Sequence, residues 1–445
     1  MSRCVAVAYS GGRDSTALLH AVAHQAQRLN QEQGAGLEVL ALHVHHGLSP
    51  QADAWLWHCQ NQCDAWAESG LPLRLQTCRL STAPAAAQSV EAWAREQRYA
   101  ALSRMAREGS ASLILLAHHR RDQAETLLLQ ALRGAGVAGL AGMPMQQWRD
   151  DGLCWARPWL DLPRESVQAY VRQHALTHIE DDSNTDTRFA RNRLRLDVWP
   201  ALLAAFPQAE LSLARSATWA QQALALQDEV AAEDLQRLSD GQSGLAVQGL
   251  LGLSAVRARN ALRAWLAEQT GRPAPSSLVL RLERELGQGD VATWPYADGV
   301  LRLYRGRLSW QRKAPEAAAE SAKAMKSVSI DLSAPGRYPQ AEWGGAWLLE
   351  ETMGTGVDPK RLRAVLMRSR SGGEQFQRAP NSCPRSLKKA YQEAGVPSWL
   401  RQGPLLFVDA ELLYVPGLGL DARQLTAPGE PAYKLSWVPD SKQFS

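Results

Sequence analysis

The first 312 residues of this 445-residue chain contain no lysine: all eight lysines lie at or beyond Lys313, and the remaining basic residues are arginines. Compositional bias of the source genome is one origin of that pattern. Arginine nevertheless binds phosphate through a bidentate fork and stacks on bases, so nucleic acid stays open as a partner. Cysteine is also sparse. The six cysteines form no CxxC pair, and Cys59 and Cys63 at i, i+4 are only two ligands, which does not make a zinc site. They read as reduced thiols, mostly core. No apolar run has membrane-spanning length, and Val5–Ala8 is too short for a signal peptide, so the expected location is cytoplasmic. A hydrophobic content of 45% over this length can bury two or three cores.

What is present begins at Cys4–Leu19, CVAVAYSGGRDSTALL. A short apolar run stops at Tyr9-Ser10-Gly11-Gly12. Arg13-Asp14-Ser15 then opens a segment with Ala17, Leu18, Ala21 and Val22 at helical spacing. Strand, glycine turn and helix start together preform an anion site, with backbone N–H groups and the positive helix end directed at the turn. Asp14 is an acid where a phosphate would sit, which makes sense if a cation lies between them. Spacing alone leaves two readings open: nucleotide plus magnesium at Ser10–Ser15, or an ordinary strand–turn–helix capped by Asp14.

Leu37–Val44, Leu71–Leu80 and Ser112–Ala117 read as further strands, with helices over Ala52–Glu68 and Ser89–Met105 between them. Strands alternating with helices predict a parallel doubly wound sheet. Ligands of such sheets sit beyond the carboxyl ends of the strands, the edge that holds Ser10, His45 and His118. Asp122 and Glu125 at i, i+3 start the next helix, where they serve either as magnesium ligands or as acids favourable to the helix dipole. Gly134, Gly136, Gly139 and Gly142 follow Arg133. After a helix over Arg164–Ala175, the arginines Arg188, Arg191, Arg193 and Arg195 lie beside Asp181, Asp182 and Asp186, as a salt-bridged face or a phosphate clamp. Residues 201–311 read as a helical middle domain, 312–327 as a polar linker and 328–435 as a separate α+β module. Within that module, Lys360–Arg401 is strongly basic and carries Phe376, Tyr391 and Trp399, the footprint of RNA binding.

These motifs stand in one order. SGGRDS matches the SGGxDS signature of the PP-loop ATP pyrophosphatases, and the absence of a Walker lysine agrees with that class. HVHHGL, EAWAREQRY, AHHRRDQAET, LRGAGVAGLAGM, EDDSN and RFARNRLR, with the C-terminal MRSRSGGEQF and LKKAYQEAGVPSWLRQGPLL, together resemble the tRNA(Ile)-lysidine synthetase family. The resemblance runs from residue 1 to about residue 425 and is weakest over Leu203–Ile330.

The resemblance implies an N-terminal Rossmann-like PP-loop catalytic domain over residues 1–200, followed by the middle and C-terminal domains above. It implies attachment of free L-lysine to the wobble cytidine of the tRNA(Ile) with a CAU anticodon, using ATP and magnesium, in an enzyme for which a homodimer is reasonable. By motif position, Ser10, Gly11, Gly12, Arg13, Asp14 and Ser15 would cradle ATP. Asp14, Asp122 and Glu125 would hold magnesium, with His118 and Arg133 helping near the α-phosphate. Arg95, Arg188, Arg191, Asn192, Arg193 and Arg195 would meet the tRNA near the reacting base, and Arg368, Arg370, Lys388, Lys389 and Arg401 would meet it in the C-terminal domain. Two positions depart from the family pattern: Ser49 follows HGL where many members have arginine, and Glu374 replaces an aspartate. A 2-thiocytidine-type relative would call for paired cysteines. A non-catalytic tRNA-binding protein would not need the intact set of acids.

Overall fold

The computed structural model describes residues 3–47, 49–80, 90–180, 186–239, 244–313, 327–353, 356–397, 401, 403–427 and 430–439, without the side chains of 90–92. Asp181, Asp182, Asn184, Trp399 and nearly all of the 312–327 linker lie outside the described residues. The chain divides into two compact units, Met1–Gln227 and Asp228–Ser445.

The first unit is built on a six-stranded sheet. In chain order its elements are β1 (Cys4–Ala8), α1 (Arg13–Gln33), β2 (Glu38–His45), α2 (Ala52–Glu68), β3 (Leu73–Arg79), α3 (Val90–Glu108), β4 (Ala111–Leu115) and α4 (Arg120–Leu132). There follow a helical turn α5 (Val137–Leu140), β5 (Gln146–Trp148), β6 (Cys154–Ala156) and α6 (Arg164–Gln173). The strand order is β3-β2-β1-β4-β6-β5; β5 alone runs antiparallel, on β6.

The central strands are rich in apolar residues on both faces because both faces are covered. Cys4, Ala6, Leu40, Leu42 and Ile114 face Leu102 and Met105 of α3. The alternate residues Val7, Tyr9, Val39 and Ala41 face Leu18, Leu19 and Ala23 of α1 and Cys59 and Cys63 of α2. The doubly wound reading holds. Burial of each large side chain contributes about 1.5–3 kcal/mol, so truncating a fully buried Ile114 costs about 2–5 kcal/mol. Helix α2 has the boundaries read from the sequence, whereas α6 stops at Gln173 and Ala175 adopts φ 47°. The β5–β6 hairpin lacked a sequence signal because each strand is three residues long and β5 is fully exposed.

In the second unit, helices over Val247–Leu251, Ala255–Thr270 and Ser276–Glu285 pack with a four-stranded antiparallel sheet around Trp265, Leu282, Trp294, Leu301 and Leu303. The middle segment is therefore helical with a sheet added. Beyond the linker, a five-stranded and a three-stranded sheet enclose Trp347, Leu349, Val365 and Leu406. Helix Leu387–Glu393 contributes Leu387, Ala390 and Tyr391 to a smaller core with Phe376 and Phe407. That agrees with an α+β module.

Candidate active site

The carboxyl end of β1 turns at Ser10-Gly11-Gly12 into α1. Gly11 has φ 81°, and a Cβ there would lie 2.3 Å from Ile179 Cδ1 and 2.9 Å from Cys59 Sγ. Only glycine meets both conditions. The Ile179 N–H donates to the Gly11 carbonyl at 2.9 Å, and Gly12 forms a parallel bridge to Ile179. Inside the loop, the Ser10 and Ser15 hydroxyls are 3.0 Å apart, and Ser15 Oγ donates to the Gly12 carbonyl at 2.9 Å. Gly12, the N-cap of α1, supplies no side-chain acceptor, so the loop stands over the uncapped positive end of a 21-residue helix. Such an end recruits anions.

Asp14 faces this end. Arg13 Nε donates to Asp14 Oδ1 at 3.0 Å, and His119 Nε2 lies 3.7 Å from Asp14 Oδ2. Burial pushes the pKa of Asp14 up, but its hydrogen bond with His119 and the Arg13 charge outweigh that and hold the carboxyl well below the usual range. The other ring nitrogen of His119 lies 3.4 Å from Asp122 Oδ2, and the His119 N–H donates to the same oxygen at 3.1 Å. His119 thus caps α4 and links the two aspartates.

Arginines complete the network. Arg195 donates through Nε to Glu125 Oε1 and through Nη2 to Asp122 Oδ1, each at 2.8 Å. Arg191 Nε lies 3.5 Å from Glu125 Oε2, and its Nη2 donates to Thr126 Oγ1 at 2.7 Å. Both come from one short helical stretch, α7 (Ala190–Arg193) and the widened π turn Leu194–Val198. Widened turns of this kind recur at functional sites. Asp14, Asp122 and Glu125 do not form a ready three-carboxylate ligand set: among the described residues no group of three or more His, Cys, Asp or Glu side chains is arranged to hold a metal. Glu125 is fully buried and engaged by two guanidinium groups.

The other expected residues are distributed unevenly. His118 is held neutral, its pKa lowered to about 4 by burial. His119, rather than His118, touches the aspartates, and the capping-box spacing from His119 to Asp122 was its legible signal. Arg133 is exposed at the far end of α4, eleven residues and about 16 Å along the helix from Asp122, so it is not brought to the cluster. Arg188 is exposed and paired with Asp186 at 2.7 Å, and Asn192 donates to the Asp186 carbonyl. Arg193 is exposed and donates to the Thr187 carbonyl. Arg95 stacks on Tyr99. Arg164, not anticipated, senses Arg13, Asp14, Arg121 and Arg195; burial and the like charges lower its pKa. The glycine loop after α4 is pinned by Gln123, which exchanges two hydrogen bonds with Met143, and by Gln221, which donates to Ala141 and Met143.

In the second unit, Lys388, Lys389 and Arg370 are exposed. Arg368 stacks on Phe407 at 4.1 Å, and Arg401 donates to the Val396 carbonyl and stacks on Tyr391. Glu374 accepts the N–H groups of Ser371 and Gly372 and so closes its own turn. Ser49 Oγ accepts the Gln51 N–H at 3.1 Å, at the turn into α2.

A glycine turn at the carboxyl edge of a parallel sheet, lacking the Walker lysine and facing aspartates, defines a PP-loop domain, and residues 1–202 match that domain's family. Residues 245–309 match the TilS substrate binding domain and 365–437 the TilS substrate C-terminal domain. The tRNA(Ile)-lysidine synthase of Ralstonia nicotianae is 43% identical over 443 residues, covering 98% of this chain and 92% of that protein. The tRNA(Ile)-lysidine synthase of Burkholderia pseudomallei is 38% identical over 471 residues, covering 98% and 93%. The chain belongs to the tRNA(Ile)-lysidine synthase family. Among solved structures, a TILS C-terminal domain matches with TM-score 0.22 at 24% identity, over 26% of this chain and 98% of that one. The U34-tRNA thiolase NcsA of Methanococcus maripaludis matches with TM-score 0.39 at 14% identity, over 48% of this chain and 71% of that one.

Proposed function

We propose that the chain ligates free L-lysine to the wobble cytidine of the CAU-anticodon tRNA(Ile), with ATP split to AMP and pyrophosphate. The observation that carries this is the near full-length 43% identity to a tRNA(Ile)-lysidine synthase. The chemistry follows from the base. Its carbonyl oxygen is a poor leaving group, so it first attacks the α-phosphate of ATP and pyrophosphate departs. The lysine ε-amine then adds to the activated carbon and AMP leaves.

The Ser10–Ser15 loop and the α1 terminus bind the phosphates and stabilise charge developing at the α-phosphate. Asp14 and Asp122 are hard oxygen donors joined through His119, and they fit a magnesium ion completed by phosphate oxygens, since this ion takes one or two carboxylates plus substrate phosphates. When bound, magnesium would neutralise phosphate charge. Glu125 then acts through Arg195, which it anchors, rather than as a ligand. Arg188 and Arg193 are exposed and available to RNA, as are Arg370, Lys388 and Lys389 in the C-terminal module. Incubation with ATP, radiolabelled lysine and individual tRNAs tests the reading. Label should enter only the CAU-anticodon isoleucine tRNA, and label in no tRNA would overturn it.

A further inference from the structure

Along the β5–β6 hairpin, where it meets Tyr99 of α3, lies a second cluster that the phosphate chemistry does not use. Arg157, at the end of β6, is only 5% exposed. Its Nη1 donates to the Pro144 carbonyl at 2.8 Å, while its Nε is buried without a hydrogen-bond partner. His118 Nδ1 is likewise buried and unpartnered. Arg149, whose N–H donates to the Leu153 carbonyl at the amino end of β6, stacks on both Tyr99 and Trp155, with its Cζ 5.2 and 4.7 Å from the ring centres. Arg95 stacks on Tyr99 at 5.2 Å. Among the described residues no carboxylate forms an ion pair with Arg95, Arg149 or Arg157. The cluster thus sets two exposed guanidinium groups, Arg95 and Arg149, within the field of the buried Arg157.

A buried charge without a counter-ion is costly, which points to an anion that arrives with a ligand. We propose that this cluster is the subsite for the α-carboxylate of the free amino acid substrate, with Arg157 as its anchor. Burial decides the class. A polymer phosphate is flanked by sugars and cannot follow a guanidinium into a nearly closed site, whereas a terminal carboxylate can. The position also suits a two-ended substrate. His118 and His119 are consecutive in the link between β4 and α4. His119 faces the aspartates at the phosphate loop, while His118 lies within the fields of Arg157 and Arg95 as well as of Asp122 and Arg191. A lysine held by its carboxylate at Arg157 can therefore extend its amine toward the reacting base.

This assignment rests on the lysine-ligating function proposed above, and the test separates the two. Steady-state kinetics are measured with lysine and with lysinamide, which keeps the ε-amine and lacks the carboxylate. Hydrogen bonds to a charged group set the scale, so the native protein should prefer lysine by about 10–100-fold in kcat/KM. Arg157→Met should lose that preference by raising the KM for lysine, with lysinamide kinetics and the KM for ATP retained, and Arg157→Lys should recover part of it. The more exposed Arg149→Gln should shrink the preference less, and it carries the test if Arg157→Met melts early. Equal losses on lysine and lysinamide, or a raised KM for tRNA instead, would overturn the subsite. A native protein that transfers neither amine would overturn the function itself.

Discussion

Arg195 spans two carboxylates one helical turn apart, with Nε on Glu125 and Nη2 on Asp122, both at 2.8 Å. A guanidinium can hold both at once because its donors are fixed in a planar fork, which an ammonium lacks. Arg195→Met should therefore leave Glu125 buried with only the longer Arg191 contact at 3.5 Å. The expected cost is about 3–5 kcal/mol, read by denaturant unfolding, with loss of turnover. Arg195→Lys should fall between, and an unchanged midpoint in both would show that the fork carries no weight.

Gly11 is the second point of leverage. Gly11→Ala sets a Cβ against Ile179 and Cys59 at a positive φ. Backbone strain alone costs about 1–3 kcal/mol, and relief of the clash must move the loop. ATP affinity, measured by calorimetry, should drop by more than about tenfold, a fall of over 1.4 kcal/mol. An affinity within twofold of native would mean that the loop tolerates the shift.

Metal dependence isolates Asp14. Chelation should stop pyrophosphate release, and added magnesium should restore it. Asp14→Asn should abolish release and leave tRNA affinity within a few-fold, and native turnover in that variant would remove Asp14 from the phosphate chemistry.

Three histidines set an acid limit. Burial, the first cause at each, lowers His20, His46 and His118 to about 4, with His24 and His174 adding to the effect at His20. Unfolded imidazole titrates near 6.5, so between these values the unfolded chain binds more protons. Stability is then full above about pH 6.5 and declines as pH falls toward 4, with the depressed Asp14 contributing only below that window. Melting temperatures between pH 7.5 and 4.5 should show the decline, and His20→Gln should flatten it.

The C-terminal module should supply much of the tRNA affinity. Removing residues 328–445 should weaken binding, and for the full chain affinity should fall as salt rises because phosphate contacts release counter-ions. An affinity insensitive to the truncation would make the basic surface at Lys388, Lys389 and Arg370 a merely solvated face.

The parallel sheet was readable because Leu37–Val44 and Ser112–Ala117 are continuous apolar runs, a pattern that arises when both faces are buried. The loop was readable from Ser10 to Ser15 because its geometry is local. Pairings across distance were not. Arg191 and Arg195 looked like RNA contacts because sequence spacing does not reveal that a widened turn lays both against α4, about seventy residues earlier. His118 was preferred to its neighbour because both end the same strand, and only the backbone direction separates them. Arg133 shared a motif with the site, yet a straight helix carries it away. The cluster at Arg157 was hidden because it depends on β5 and β6, strands too short to leave a period.

The cations around the phosphate loop, Arg13, Arg164, Arg191 and Arg195, all carry guanidinium groups, and the first unit holds no lysine. A guanidinium stays protonated and has no lone pair to offer an electrophile. An adenylated base held there meets no primary amine from the first unit's side chains. In that half of the chain the reactive intermediate is shielded from self-labelling, and the amine that consumes it has to come from outside.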